Sequence, residues 1–503
     1  MAKQSINIGS AANDGTGSTL RAAFDICNDN FTELYDGTGG LLHKIEGTNF
    51  TGSLLVGHST TGVISSAEYN TALGIGALNA LTTGDQNTAI GYNSGTNITE
   101  GSENTLIGRG SGAAFTTGAK NVALGAQALN NEDTGSGNVA VGYQVLTTLN
   151  YDGNGHNTAV GHQAGKSATT SRHNSLFGSG AGQALTTGSR NIAVGFEALH
   201  IEDTGARSVA IGYQSLKNQN YGDNNYNTAV GYSSGQQITS GLQNTLIGAL
   251  TGDALTTGVQ NTAIGYGALG SEDAHGRNVA VGYLALNAQN AGTDAYNVAV
   301  GNLAGYLITT GAYNTIMGGL AGDALTTGEK NIAIGYDALS TEDEGSRSVA
   351  VGYGALRYQN NDGNNYNTAI GHDAGNQITT GTINTLIGGL AGDALTQGNS
   401  NIAIGYQALT SETLGDRNVA IGVSALQAQN NTSDTDAYNV AVGYYAGLSI
   451  TTGVENVLIG GLTGDALTTG DYNTAVGHKS LSGEDTGNRN TALGYKTLEV
   501  LNY

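Results

Sequence analysis

The residues with the most chemical potential are five pairs of adjacent carboxylates: Glu132/Asp133, Glu202/Asp203, Glu272/Asp273, Glu342/Asp343 and Glu484/Asp485. Glycoside hydrolysis uses two carboxylates placed across a bond, one with its pKa raised by burial. These pairs are neighbours in sequence, lie in turn-like EDTG contexts and recur at intervals, whereas an active site is one unique constellation. They therefore read as a solvated acidic edge. Carboxylate and carbonyl oxygens suit Ca²⁺, so Glu132, Asp133, Glu202, Asp203, Glu272 and Asp273 are the candidates for weak cation sites. No EF-hand pattern accompanies them, and the expectation is no resident metal or cofactor beyond such weakly held Ca²⁺.

Other reactive types are equally repetitive. Three of the nine histidines, His162, His372 and His478, follow a glycine at a position where Tyr92, Tyr143 and Tyr213 stand elsewhere, which predicts column packing instead of a metal row. The GYSSG at 231 to 235 fits a nucleophile elbow only in letters, because its equivalents read GYNSG and GHQAG and no helix is expected after it. No catalytic residue is assigned, and the chain is expected not to be an enzyme.

The element that must position all of these is a repeat. From Asn70 a 17-residue unit recurs, opening with Asn, then Thr/Val/Ile, a small or apolar residue, an aliphatic residue and Gly. The glycine is present in all 25 units from Gly74 to Gly494, and the Asn is missing only at Ser208 and Ser348. Asn87 with Gly91, Asn138 with Gly142 and Asn261 with Gly265 represent these columns. A degenerate unit at 53 to 57 precedes them, giving about 26 coils. Asn138, Ser208, Asn278 and Ser348 are 70 residues apart, three 17-residue units and one of 19, and the block from Asn418 is two residues longer.

Such a period means a solenoid. The unit predicts one short strand over its first five or six positions and a second strand or extended segment around ALTT or QITT, hence an all-β parallel β-roll. Stacking at ~4.8 Å per coil would give a rod of about 125 Å. The glycine column suits positive φ or close backbone approach, and the asparagine column a stacked amide ladder. In VAVG, at 298 to 301, neither strand face is polar. One thin coil covers one face only, so the other needs a partner, and three copies about a long axis would supply it.

Composition narrows the partners. With 18 Lys+Arg and a net charge of −22 in 503 residues, a nucleic-acid partner is excluded. No stretch has the length of a membrane span or an export signal, and the lone Cys27 gives no disulfide framework. Residues 18 to 35 read as a helix with Leu20, Phe24, Cys27, Phe31 and Leu34 on one stripe and Tyr35 at its end, open to docking on its own chain, a short bundle or another protein. Residues 37 to 52 read as a Gly-rich linker or adaptor, and 53 to 503 as the shaft. The longer loops carry Tyr151, Tyr221, Tyr226, Tyr296, Tyr366 and Tyr438, the candidates for contacting a host glycan or protein. Tyr503 stops inside a unit, which predicts a distal tip or capping protein.

The NTAIG, NVAVG and SVAIG units, at 87 to 91, 138 to 142 and 208 to 212, resemble the head repeats of trimeric autotransporter adhesins. That resemblance implies a left-handed roll in a homotrimer, though the family's unit is shorter and its export signal and anchor are lacking. The opening SINIGSAANDGTGSTLRAAFDICNDNFTELY, at 5 to 35, resembles the attachment segment of tail-fibre and other virion proteins of T4-like phages. It implies that residues 1 to 36 dock on a baseplate or proximal fibre protein and that the protein is a virion appendage, assembled in the host cytoplasm, that adheres to the host surface. The alternatives are a fibre-borne polysaccharide depolymerase and a bacterial surface adhesin.

Overall fold

The computed structural model describes residues 43–47, 50–56 and 66–500. The expected helix at 18 to 35, with Leu20, Phe24, Cys27, Phe31, Leu34 and Tyr35, lies outside the described residues. The chain divides into two compact units, Met1–Tyr226 and Asn227–Tyr503. Each is a parallel β-solenoid, and no helix occurs among the described residues.

In the first unit His43–Gly47 pairs antiparallel with Phe50–Val56, which in turn pairs parallel with Thr71–Leu73. The end of the segment expected as a linker is therefore a hairpin that leads into the array. Eight further strands follow, one per coil, to Val209–Ile211. The second unit stacks sixteen such strands, from Thr228–Val230 to Thr491–Leu493. Register is constant, as in Thr262↔Val279, Ala263↔Ala280 and Ile264↔Val281.

Each of these 25 strands is three residues long, shorter than the expected five or six, because the residues that bound it do other work; apart from them, Gly415–Asp416 and Thr435–Asp436 form a short parallel pair of their own. At its start the asparagine turns inward. Asn87 Nδ2 donates to Gly101 O at 2.8 Å, tying the beginning of the coil to its end, and to Asn70 Oδ1 of the preceding coil at 3.1 Å. Its own Oδ1 accepts the backbone N–H of Asn104 at 3.1 Å. The ladder expected from the asparagine column is thus also the clip that closes each coil. Asn261 makes the same clip, to His275 O at 3.1 Å. Asn138 opens a 19-residue coil and departs from the pattern: it keeps the ladder bond to Asn121 Oδ1 at 3.3 Å, but its second bond goes to the nearby Ser136 O at 3.4 Å.

At the strand's end Gly91 has φ +133°, and a Cβ there would stand 2.6 Å from Gly108 O. Gly142 is held in the same way even in the longer coil, with φ +133° and its Cβ position 2.4 Å from Gly161 O. Gly265 matches them at φ +130°. No L side chain fits both demands, so the glycine column meets positive φ and close backbone approach together.

The expected second strand does not form. Around TTG and its equivalents the chain curls about a single carbonyl: in the TEG of one coil, Thr99, Glu100 and Gly101 all present their N–H to Thr116 O, at 3.0, 3.2 and 3.1 Å. Three donors converging on one acceptor make a turn, whereas a ladder would give each donor its own.

The core is a narrow column of small and aliphatic side chains. The middle strand residue points inward and is fully buried, as are Ala89, Leu106 and Ala123. Where it is Leu, the coil has Gly at its ninth position, as with Leu106 and Gly112, because a Cβ on Gly112 would lie 2.9 Å from Leu106 Cδ2 and 2.5 Å from Phe115 Cδ2. Where it is Ala, as at Ala123, Leu129 can take that place with φ +48°. Core volume is shared between neighbouring coils, which is one reason that units are not all alike.

Candidate functional site

Two features could carry function: the row of glutamates and the outward face of the strands. The glutamates correct the expectation of a solvated edge. Glu132, Glu202, Glu272, Glu342, Glu412 and Glu484 are buried, at 0 to 1% exposure. Each lies in the coil before a longer one or its equivalent position, and its carboxylate collects donors. Glu202 Oε1 accepts the N–H of Gly205 at 2.7 Å, while Oε2 accepts Gln219 Nε2 at 2.9 Å and Asn225 Nδ2 at 2.8 Å. Glu342 repeats this with Gly345, Gln359 and Asn365 at 2.8, 2.8 and 3.0 Å. Glu412 does so with Gly415, Gln429 and Asn431. Burial is the main influence on Glu132, Glu202 and Glu342 and pushes each carboxyl above the usual carboxylate range, against the opposing pull of those hydrogen bonds.

The physical reason is the extra length of the following coil. Its loop bulges away from the Asn ladder, leaving backbone and amide donors without partners, and the glutamate reaches across to take them. The same network explains the two missing asparagines: Gln219 Nε2 also donates to Ser208 Oγ at 2.8 Å, and Gln359 Nε2 to Ser348 Oγ at 2.9 Å. The neighbouring aspartates do not join in. Asp133 caps its own turn, accepting the N–H of Thr134 at 2.6 Å, and Asp203 accepts that of Thr204. The two carboxylates of a pair thus face different surroundings. Among the described residues only Glu272, Asp273 and His275 gather in a way that could hold a metal ion. Glu132/Asp133 and Glu202/Asp203 form no such group.

A sequence signal for this network existed. Gln219, Gln289, Gln359 and Gln429 each follow a glutamate by 17 residues, one coil later. Paired polar residues at the repeat distance indicate contact.

The outward strand face is different in kind. The third strand residue points out and is aliphatic, Met or Phe in all 25 coils, from Leu73 to Leu493. The first is Thr, Ser, Val or Ile, so neither outward column contains a charge. Ile211, Ile247, Met317 and Ile370 are each about two-fifths exposed. Beyond the glycine, Tyr, Phe and His rings line the corner and stack from coil to coil: Tyr336 on Tyr353 at 5.7 Å and Tyr353 on His372 at 5.2 Å between centroids. His162 stacks on Tyr143 and His478 on Tyr495, which is the column packing expected of them.

The tyrosines expected as loop contacts fall into two places. Tyr226, Tyr296, Tyr366 and Tyr438 stand just before the next Asn with φ near +50°. Each lies under the guanidinium of the preceding coil, Arg207, Arg277, Arg347 or Arg417, at 5.4 to 5.6 Å. Tyr151 and Tyr221 are on the longer loops themselves, and Tyr151 Oη accepts Arg172 Nη1 at 2.8 Å. The structure brings none of the six into one site; it spreads them over five blocks, with only Tyr221 and Tyr226 in the same one, and most of them paired with arginine. No family model matches the chain, and no curated protein matches it.

Proposed function

We propose that the protein is the shaft of a trimeric fibre, a virion appendage of the phage tail-fibre kind, whose work is mechanical spacing and adhesion without turnover. The carrying observation is the uncharged outward strand face, whose third-residue column is apolar in every coil of each unit, in a chain of net charge −22. Exposed apolar faces of such extent mark association surfaces. Threefold packing of left-handed coils would cover this face, with residues 1 to 36 docking on the particle. The longer loops, with their tyrosines, would then be left on the periphery to contact a glycan or protein at the host surface. Glu202, Glu342 and Glu412 support the reading without turnover, because donors from the chain itself already occupy both oxygens of each.

Sedimentation with negative-stain imaging tests this. The expected species has three times the 50.8 kDa chain mass and is a thin rod. Replacing Ile264, Ile334 and Ile404 by Asp should yield monomers with unchanged circular dichroism, since all three side chains point outward. A compact wild-type monomer would overturn the fibre.

A further inference from the structure

In the first unit the two positions that precede the opening residue of each coil change character along the stack. Over five successive coils, from Gly155-His156 to Asn225-Tyr226, they hold Arg172, Arg190, Arg207 and two histidines, and no carboxylate. Earlier in the same unit these positions include Glu68, Asp85 and Glu103, and in the second unit Glu329, Asp416, Glu455 and Asp471. A chain of net charge −22 thus carries one edge segment with cations and no acid.

The cations are stacked on one another. The N–H of Arg190 donates to Arg172 O at 3.0 Å, and that of Arg207 to Ser189 O at 3.2 Å. Arg190 and Arg207 therefore stand in register one coil apart, about 4.8 Å. Like charges directly opposite each other in a ladder destabilise it. The second unit relieves its own arginines, since Arg277 pairs with Asp294 and Arg417 with Asp436. Among the described residues Arg172, Arg190 and Arg207 pair with no carboxylate. Arg172 and Arg207 donate instead to the hydroxyls of Tyr151 and Tyr226, which steady them without neutralising them. The aspartates of the adjoining turns are engaged elsewhere: Asp203 and Asp223 cap their own turns, and Asp152 accepts Thr134 Oγ1 at 2.8 Å.

The coil does not need these side chains. Arg190 and Arg207 have φ +61° and +63°, while Gly137, in the same column, has φ +71°. Glycine takes that conformation without the steric cost a side chain brings. Arg172, His173 and Arg190 are exposed. A repelling, unneutralised and solvent-facing row answers to an anion from outside the chain.

We propose that this strip binds a carboxylated polysaccharide laid along the stack, with one acidic sugar to each arginine-bearing coil. The proposal rests on the reading above that the periphery contacts a surface glycan, and names the class of that glycan. The planar guanidinium takes a carboxylate in two parallel hydrogen bonds, and an extended 1,4-linked pyranose chain advances by nearly one coil's rise per sugar. Duplex DNA, with a charge about every 1.7 Å, does not match a cation every ~4.8 Å. The acidity of the rest of the chain does not forbid an acidic ligand, because charges further than about 8 Å away are largely screened at physiological ionic strength.

The test titrates the full chain with a 1,4-linked mannuronate oligomer by calorimetry at fixed pH. Wild type should bind it, less tightly as salt is raised. Replacing the three arginines together, Arg172→Gln, Arg190→Gln and Arg207→Gln, should weaken binding about tenfold or more. Arg277→Gln, Arg347→Gln and Arg417→Gln remove the same charge from the second unit and should leave binding unchanged. Circular dichroism melts check that both variants keep the fold. Should the first melt lower, Arg190→Gln alone, with no printed bond to its guanidinium lost, is expected to give a severalfold loss. Wild type that does not bind the oligomer overturns the strip. So do equal losses in the two triple variants, and equal binding of a neutral 1,4-linked mannose oligomer or of single-stranded DNA. Each of these results leaves the fibre standing, because sedimentation reads it separately. Wild type that binds the mannuronate as a compact monomer overturns the fibre and keeps the strip.

Discussion

The glycine that ends each strand and the residue that follows it are one peptide bond apart and obey different rules. Gly248, Gly318 and Gly388 are invariant, each with φ near +138° and the next coil's backbone in the space a Cβ would need. Ala249, Gly319 and Gly389 belong to a column that elsewhere is mostly Tyr or His and varies as far as Arg109, Ala126, Asn302 and Val423. A position repeated in every coil is one that stacking itself dictates, because in a solenoid each residue's neighbour is its own copy. A position repeated every fourth coil is set by something longer than one coil: core volume shared between neighbours, the extra length of a loop, or a surface outside the chain.

The contrast breaks most clearly at the invariant column. Gly265→Ala, at φ +130° with Gly282 O 2.3 Å from the new Cβ, should destabilise its neighbourhood by about 4 kcal/mol or more. Hydrogen exchange should show the coils on either side opening, while Gly319→Ala leaves exchange unchanged. Equal effects at the two glycines would remove the distinction.

A smaller loss is expected at the clip. Asn384→Ala removes bonds to Gly398 O and Asn367 Oδ1 and strands the N–H of Asn401 in a buried corner. Leaving such groups unpaired costs about 2–3 kcal/mol, read as a drop in the denaturation midpoint. Asn384→Asp should not rescue it, since a carboxylate cannot donate to Gly398 O.

The smallest effect concerns pH. The carboxyls of Glu132, Glu202 and Glu342 are raised by burial, so the fold penalises their ionised forms. Their contribution to stability is complete below the carboxyl's unfolded pKa and is lost as pH rises through the higher folded value. The melting temperature should therefore climb as pH is lowered from neutrality towards the ordinary carboxylate range, the direction set by these raised carboxyls. Relief of net negative charge acts in the same direction, so the measurement is the difference between wild type and Glu132→Gln, Glu202→Gln, Glu342→Gln together, which should show the shallower slope. Identical slopes would mean that these carboxylates do not sense the fold.

The parallel solenoid, its coil boundaries and the roles of Asn87, Gly91 and Gly142 were legible in the sequence, because a repeated residue stacked on itself leaves little choice of environment. ALTT and QITT read in the letters as a second strand or extended segment, yet the chain there curls until three N–H groups share one carbonyl, Thr116 O, a convergence that leaves no mark in the sequence. What only the tertiary structure decided is the direction in which each carboxylate of a pair points. Glu202 and Asp203 are adjacent and chemically alike, yet one is buried and one caps a turn. The difference is made by Gln219 and Asn225, brought beneath the same loop by the winding of the next, longer coil. Periodicity determines which residues stack; whether a side chain at the edge of the stack turns in or out depends on donors that arrive only when the neighbouring coil is in place.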